Sequence, residues 1–175
     1  MTVRPILVYG DPRLEAPNLA VDDFGSELQS LVHDLFETGW KAPGLGVAAP
    51  QIGANLRLAT IDLSVGRDPN ARIVLANPEI IRRQGRATLE EGCLSFPGLF
   101  TTIERPTALT VRAQDRDGEW REIEADGLLA QAVCHEVDHL DGVLLTRHLR
   151  GMKKKFFMRR VEKMRKLGIW PQSTA

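Results

Sequence analysis

The sequence predicts an α+β fold, with mainly antiparallel sheet around a central helix carrying a His-Glu-x-x-His motif, and a further helix towards the C-terminal end. Three observations predict it. Short runs rich in branched residues crowd the middle of the chain. Helical periodicity appears before them and again after them. Strands and helices do not alternate regularly, which argues against a parallel sheet. The 175 residues suit one domain spanning 1–175.

The first element is an amphipathic helix over residues 22–40. Phe24, Leu28, Leu31, Val32, Leu35 and Phe36 share one stripe. Asp22 or Asp23 can cap its start, and Pro43-Gly44 closes it. His33 lies beside that stripe and reads as a satisfied or solvent-facing histidine. Leu56–Val65, Arg72–Ile81 and Thr107–Ala113 read as strands bounded by turn residues. Asp115-Arg-Asp-Gly118 is a hairpin turn, and Trp120–Ala125 is the returning strand. The central helix starts at Asp126, runs through Leu128, Leu129, Ala132, Val133, Val137 and Leu140, and ends at Gly142. The last helix covers about Lys153–Leu167, with Phe157, Val161 and Met164 on its apolar side.

Lys and Arg number 23, as do Asp and Glu, so overall charge points to neither a nucleic-acid nor a membrane partner. The distribution is uneven. Residues 147–166 hold ten Lys or Arg against one acid, Glu162. Two cysteines, Cys93 and Cys134, do not make a disulfide framework. Met1-Thr-Val-Arg-Pro5 lacks the apolar core of a signal peptide, and no run is long enough to span a membrane. A reducing cytoplasm is expected, where cysteines near histidines are more often ligands than bridges.

The strongest chemical signal is His135-Glu-Val-Asp-His139. Residues four apart share a helix face, so both imidazoles can reach one metal, with Glu136 beside it as proton carrier. A third ligand is needed. Leu145 stands where a metzincin would place a third histidine. Glu162 lies in the basic segment, and His148 qualifies on composition alone. Cys134 adjoins His135 and points about 100° away on the helix, as a core thiol would. Cys93, in Glu90-Glu-Gly-Cys-Leu-Ser-Phe-Pro-Gly98, is the better choice. Two histidines and a thiolate leave a coordination position open, the mark of a catalytic site. A third segment, Gly44-Leu-Gly-Val-Ala-Ala-Pro-Gln-Ile-Gly53, lacks the lysine of a phosphate loop. Its small residues admit a peptide backbone, and Gln51 can donate to an oxyanion.

Together these segments resemble the three signature motifs of peptide deformylases. They are Gly-x-Gly-x-Ala-Ala-x-Gln, then Glu-Gly-Cys-Leu-Ser, then His-Glu-x-x-His, complete and in that order. Ile6-Leu-Val-Tyr-Gly-Asp-Pro-Arg-Leu14 also resembles the family's opening, and the likeness runs from about Ile6 to Leu149. The resemblance implies hydrolysis of the N-formyl group from the formylmethionine of new proteins. It implies one divalent metal ion, ferrous iron in the cell, with zinc, nickel or cobalt able to take its place. Cys93, His135 and His139 would be the ligands, and Glu136 would move protons between water and the leaving amine. Gln51 and the Leu94 backbone N–H would stabilise the oxyanion. Gly46 would meet the peptide backbone, and Leu45, Glu91, Leu94 and Leu128 would form the methionine pocket.

Two positions depart from the family pattern. Gln131 stands where an apolar pocket residue is usual, and Gly98-Leu-Phe100 lacks the arginine some members carry there. The nearest rival reading is a metallopeptidase on the same histidines. A second is an RNA- or ribosome-binding protein with a structural metal, which would need neither Glu136 nor Gln51. The segment from about 147 to 167 is either a solvated helix face or, as the family's function favours, a dock on ribosomal RNA.

Overall fold

The computed structural model describes residues 2–171. Its order is helix, strands, helices. α1 (Ser26–Lys41) precedes β1 (Gly46–Ala48), β2 (Leu58–Asp62), β3 (Arg72–Gln84), β4 (Ala87–Gly92), β5 (Phe100–Arg105), β6 (Ala108–Gln114) and β7 (Trp120–Asp126). α2 (Gly127–Leu140), α3 (Leu145–His148) and α4 (Gly151–Lys166) follow. Five strands form one antiparallel sheet in the order β1-β2-β3-β6-β7, and β4 and β5 form a separate antiparallel pair. The α+β expectation holds, and every ladder pair is antiparallel.

Packing explains where each helix lies. α2 sets Ala130, Val133, Cys134 and Val137 against Ile61, Leu75, Leu109 and Val111 of the large sheet. Its polar side is thereby turned away from that core, with His135 towards Glu91 of β4 and Glu136 towards Gly46 of β1. α1 sets Leu28, Val32, Leu35 and Phe36 against Val47, Leu58 and Ala76. α4 buries Phe157 and Val161 in a third cluster with Leu7, Leu14, Phe96 and Ile103. Phe96 is fully buried and meets Tyr9, Phe157 and Trp170 at ring-centroid distances of 4.8, 5.5 and 6.4 Å.

Some boundaries differ from the sequence reading. α1 begins at Ser26, not residue 22, and neither Asp22 nor Asp23 caps it. The Asp23 carboxylate instead accepts from the Gly25 N–H at 2.8 Å, a local turn that competes with helix. Phe24 precedes the helix yet still packs on the same cluster. Asp126 occupies the N-cap of α2 without a side-chain hydrogen bond. Gly142 follows the C-cap with φ +68°, and a Cβ there would lie 3.2 Å from the Glu15 carbonyl oxygen. α4 starts at Gly151, ahead of Lys153. β1, the β4–β5 pair and the short α3 were not anticipated.

Candidate metal centre

The helical spacing in α2 works as expected. The rings of His135 and His139 lie 4.9 Å apart and nearly perpendicular. Cys93 arrives from the other side, on the tight turn that ends β4, where the Phe96 N–H donates to the Cys93 carbonyl at 2.8 Å. The Ser95 N–H points at Cys93 Sγ from 3.4 Å. One sulfur and two ring nitrogens thus lie within 4.8 Å of one another, and Cys93 Sγ is 3.2 Å from His139 Nε2. This donor set could hold a divalent transition metal. The other candidates fall away: His148 is bonded to Asp138, Glu162 is exposed on α4, and Cys134 is a core thiol. His33 is also remote, with its Nε2 3.9 Å from Glu37.

Electrostatics support a ligand set. Burial raises the Cys93 thiol, but facing His139 and His135 outweighs that and holds it well below the ordinary thiol value. Burial pushes the Glu136 carboxyl up to about 7. Glu136 is 3 % exposed, and its Oε2 has no hydrogen-bond partner among the described residues. An unpaired buried carboxylate oxygen is costly in an inert core and is expected where it meets a reacting group. A Cβ on Gly46 would lie 2.5 Å from Glu136 Oε1, so only glycine leaves the carboxylate its place.

Gln51 sits on the 3-10 turn Ala49–Ile52, directly after β1. It is 1 % exposed. Its Oε1 accepts from the Ala48 N–H at 2.9 Å, which orients its Nε2 towards Ser95 Oγ (3.3 Å) and Cys93 Sγ (3.7 Å). Glu91 makes a different contact from the one expected of a pocket residue. Its Oε1 lies 2.7 Å from His135 Nδ1, and the Arg105 guanidinium grips both its oxygens at 2.7 and 3.0 Å. Burial raises its pKa, but His135 and Arg105 prevail and bring it down to about 2. With Nδ1 so engaged, His135 presents Nε2 to the site.

A cavity of about 550 Å³ opens above these groups. Leu45, Gly46, Gln51, Leu94, Leu128 and Glu136 line it, as do Glu91, Cys93 and His135. His139 is buried, 2 % exposed, and does not line it. Gln131 lines it too, with its Nε2 donating to the Glu90 carbonyl at 2.8 Å. Phe100 stands at its wall, 57 % exposed. Apart from His139, which stands 3.2 Å from Cys93 Sγ, every site residue read from the sequence lines this cavity. Sequence reasoning missed Arg105, Ser95, Asp138 and the bond of Glu91 to His135.

Known proteins resemble this chain in sequence and fold. A family model described as polypeptide deformylase matches residues 3–155. The peptide deformylase of Acidobacterium capsulatum is 48% identical over 170 residues, covering 97% of this chain and 100% of that protein. A crystal structure of a peptide deformylase from Legionella pneumophila superposes with a TM-score of 0.89 at 41% identity, covering 95% of this chain and 98% of that one. The peptide deformylase of Thermus thermophilus gives a TM-score of 0.85 at 40% identity, covering 93% and 96% of the two chains. The chain belongs to the peptide deformylase family, metal-dependent hydrolases that remove the N-formyl group from newly made proteins.

Proposed function

We propose that this chain deformylates the formylmethionine of new peptides at one divalent metal held by Cys93, His135 and His139. Ferrous iron is the ion proposed for the cell, with zinc, nickel or cobalt able to replace it. The observation that carries this is the convergence of the three donor atoms within 4.8 Å beside a buried, unpaired Glu136 oxygen. When bound, the cation supplies Lewis acidity, which makes water nucleophilic near neutral pH and polarises the formyl carbonyl. Glu136 takes a proton from that water and delivers it to the leaving amine. Gln51 Nε2 and the Leu94 N–H donate to the developing oxyanion. Gly46 offers its backbone to the peptide, while Leu45, Glu91, Leu94 and Leu128 wall the methionine side chain. Metal analysis with a formate-release assay tests this. A formyl-Met peptide should release formate, and unblocked peptides should stay uncut. Cleavage of unblocked peptides would favour the metallopeptidase instead.

We also take residues 1–175 as one catalytic domain working in the cytoplasm. Two free cysteines suit a reducing compartment. No helix among the described residues is long and apolar enough to cross a membrane.

The basic face of α4 is proposed to dock on ribosomal RNA. Lys154, Lys155, Arg159, Arg160 and Lys163 are exposed along it. Deleting α4 is a poor test, because Phe157 and Val161 belong to the core. Replacing Lys154, Lys155, Arg159 and Arg160 by Glu leaves that core alone. The variant should lose salt-sensitive co-sedimentation with ribosomes and keep activity on short formyl-Met peptides. Equal sedimentation of both proteins would remove the docking role.

A further inference from the structure

Asp138 and His148 belong to no step above, yet they extend the bonds that hold His135. From His135 Nδ1 the contacts run to Glu91 Oε1 at 2.7 Å. They pass through the Arg105 guanidinium, whose Nη1 meets Asp138 Oδ2 at 2.7 Å. His148 Nε2 meets that same Asp138 oxygen at 2.7 Å. Four elements take part: α2 gives His135 and Asp138, β4 gives Glu91, β5 gives Arg105, and α3 gives His148. The side chains of Arg105 and Glu91 are 5% and 4% exposed, so the two charges depend on protein partners.

The order of charges matters. Arg105 stands between two carboxylates and divides its attraction between them. Without the Asp138 charge, the guanidinium would act on Glu91 alone, making it a weaker acceptor for the His135 N–H. The Arg105 Nη1 would also face a weaker, uncharged acceptor, leaving the guanidinium freer to shift and carry Glu91 with it. The outer hydrogen bond of a ligand histidine sets both its ring orientation and its donor strength. We infer that Asp138, clamped by His148, is a positioning residue that orients His135 through Arg105 and Glu91. This rests on the metal assignment proposed above.

The test loads the full chain with cobalt(II) and reads its ligand-field absorption and its release rate to a chelator. Asp138→Asn should release cobalt about 10-fold faster. It should also shift the ligand-field bands, and lower kcat on a formyl-Met peptide while KM stays. His148→Phe keeps bulk at a side chain 29% exposed and removes the bond to Asp138. It should move all three readouts the same way by less, and it decides the matter if Asp138→Asn does not fold. Parent release rates and bands in the folded variants, even with a lower Tm, would reduce the cluster to a structural ion network and overturn the inference. A parent chain that binds no cobalt would overturn the metal assignment and the inference with it. Normal binding by the parent with unmoved variants would overturn the inference alone.

Discussion

His135 and His139 stand one helical turn apart on the same face of α2, yet the fold holds them by different means. His135 is gripped by charge: its Nδ1 meets Glu91, which Arg105 holds in turn. His139 is gripped by packing. It is 2 % exposed, and its Nδ1 has no hydrogen-bond partner among the described residues. Its backbone is secured instead, with Asn18 Nδ2 reaching the carbonyls of His139 and Leu140 at 3.4 and 3.0 Å. Helical spacing brings two rings to one place. It does not orient them, and orientation comes from whatever the rest of the fold sets against each ring.

The largest expected effect lies between the two histidines. Glu136→Gln removes the proposed base and neither ligand, so kcat should fall about 100- to 10,000-fold. Metal content should stay at one ion per chain; loss of metal would mean that Glu136 serves the ligands rather than the reaction. Next comes Gln51, whose Nε2 lies 3.7 Å from Cys93 Sγ. Gln51→Ala should lower kcat about 100- to 1,000-fold, far beyond any rise in KM. A change confined to KM would make Gln51 a binding residue.

Glu91→Gln sharpens the contrast directly, since it acts on one histidine. Metal affinity should fall about 10- to 100-fold. Competition with a chromophoric chelator measures it, and unchanged affinity would erase the distinction between the two rings.

The smallest effect concerns a carboxylate outside the three-residue donor cluster. Asp62 accepts from Ser64 N and Oγ, Gly66 N and Trp40 Nε1 at 2.6–2.9 Å. Burial raises its pKa, but these bonds prevail and lower it. A depressed folded pKa gives stability that is present above the unfolded value of about 3.9 and lost as pH falls through the folded value. Asp62→Asn should therefore cost about 1.5 kcal/mol at pH 7. The gap in Tm between parent and variant should narrow as pH drops below about 4. A gap independent of pH would assign the loss to shape rather than charge.

Much of this was legible in the sequence, for physical reasons. Leu28, Leu35, Val133 and Val137 repeat at helical spacing, and that repeat located α1 and α2. The pair of histidines four apart gave the strongest signal for a metal, whereas Cys93 was the better of several third-ligand candidates and was singled out by the resemblance. The β4–β5 pair escaped because Ala87–Gly92 is short and charged, with little alternation to mark its buried side. The bond from Glu91 to His135 crosses 44 positions and that from Arg105 to Asp138 crosses 33, so neither leaves a periodic trace. Charge pairs brought together by tertiary structure have no spacing to read.

The ring of Phe96 carries a consequence for how the protein is made. It lies just beyond Cys93 and is packed by Tyr9, Phe157 and Trp170. During synthesis Tyr9 and Cys93 emerge well before Phe157 and Trp170. The thiol turn therefore waits, with one side of its apolar shell open, until α4 has left the ribosome and folded back. A member of a family that edits the first residue of nascent chains thus completes the setting of its own proposed metal ligand only late in its own translation.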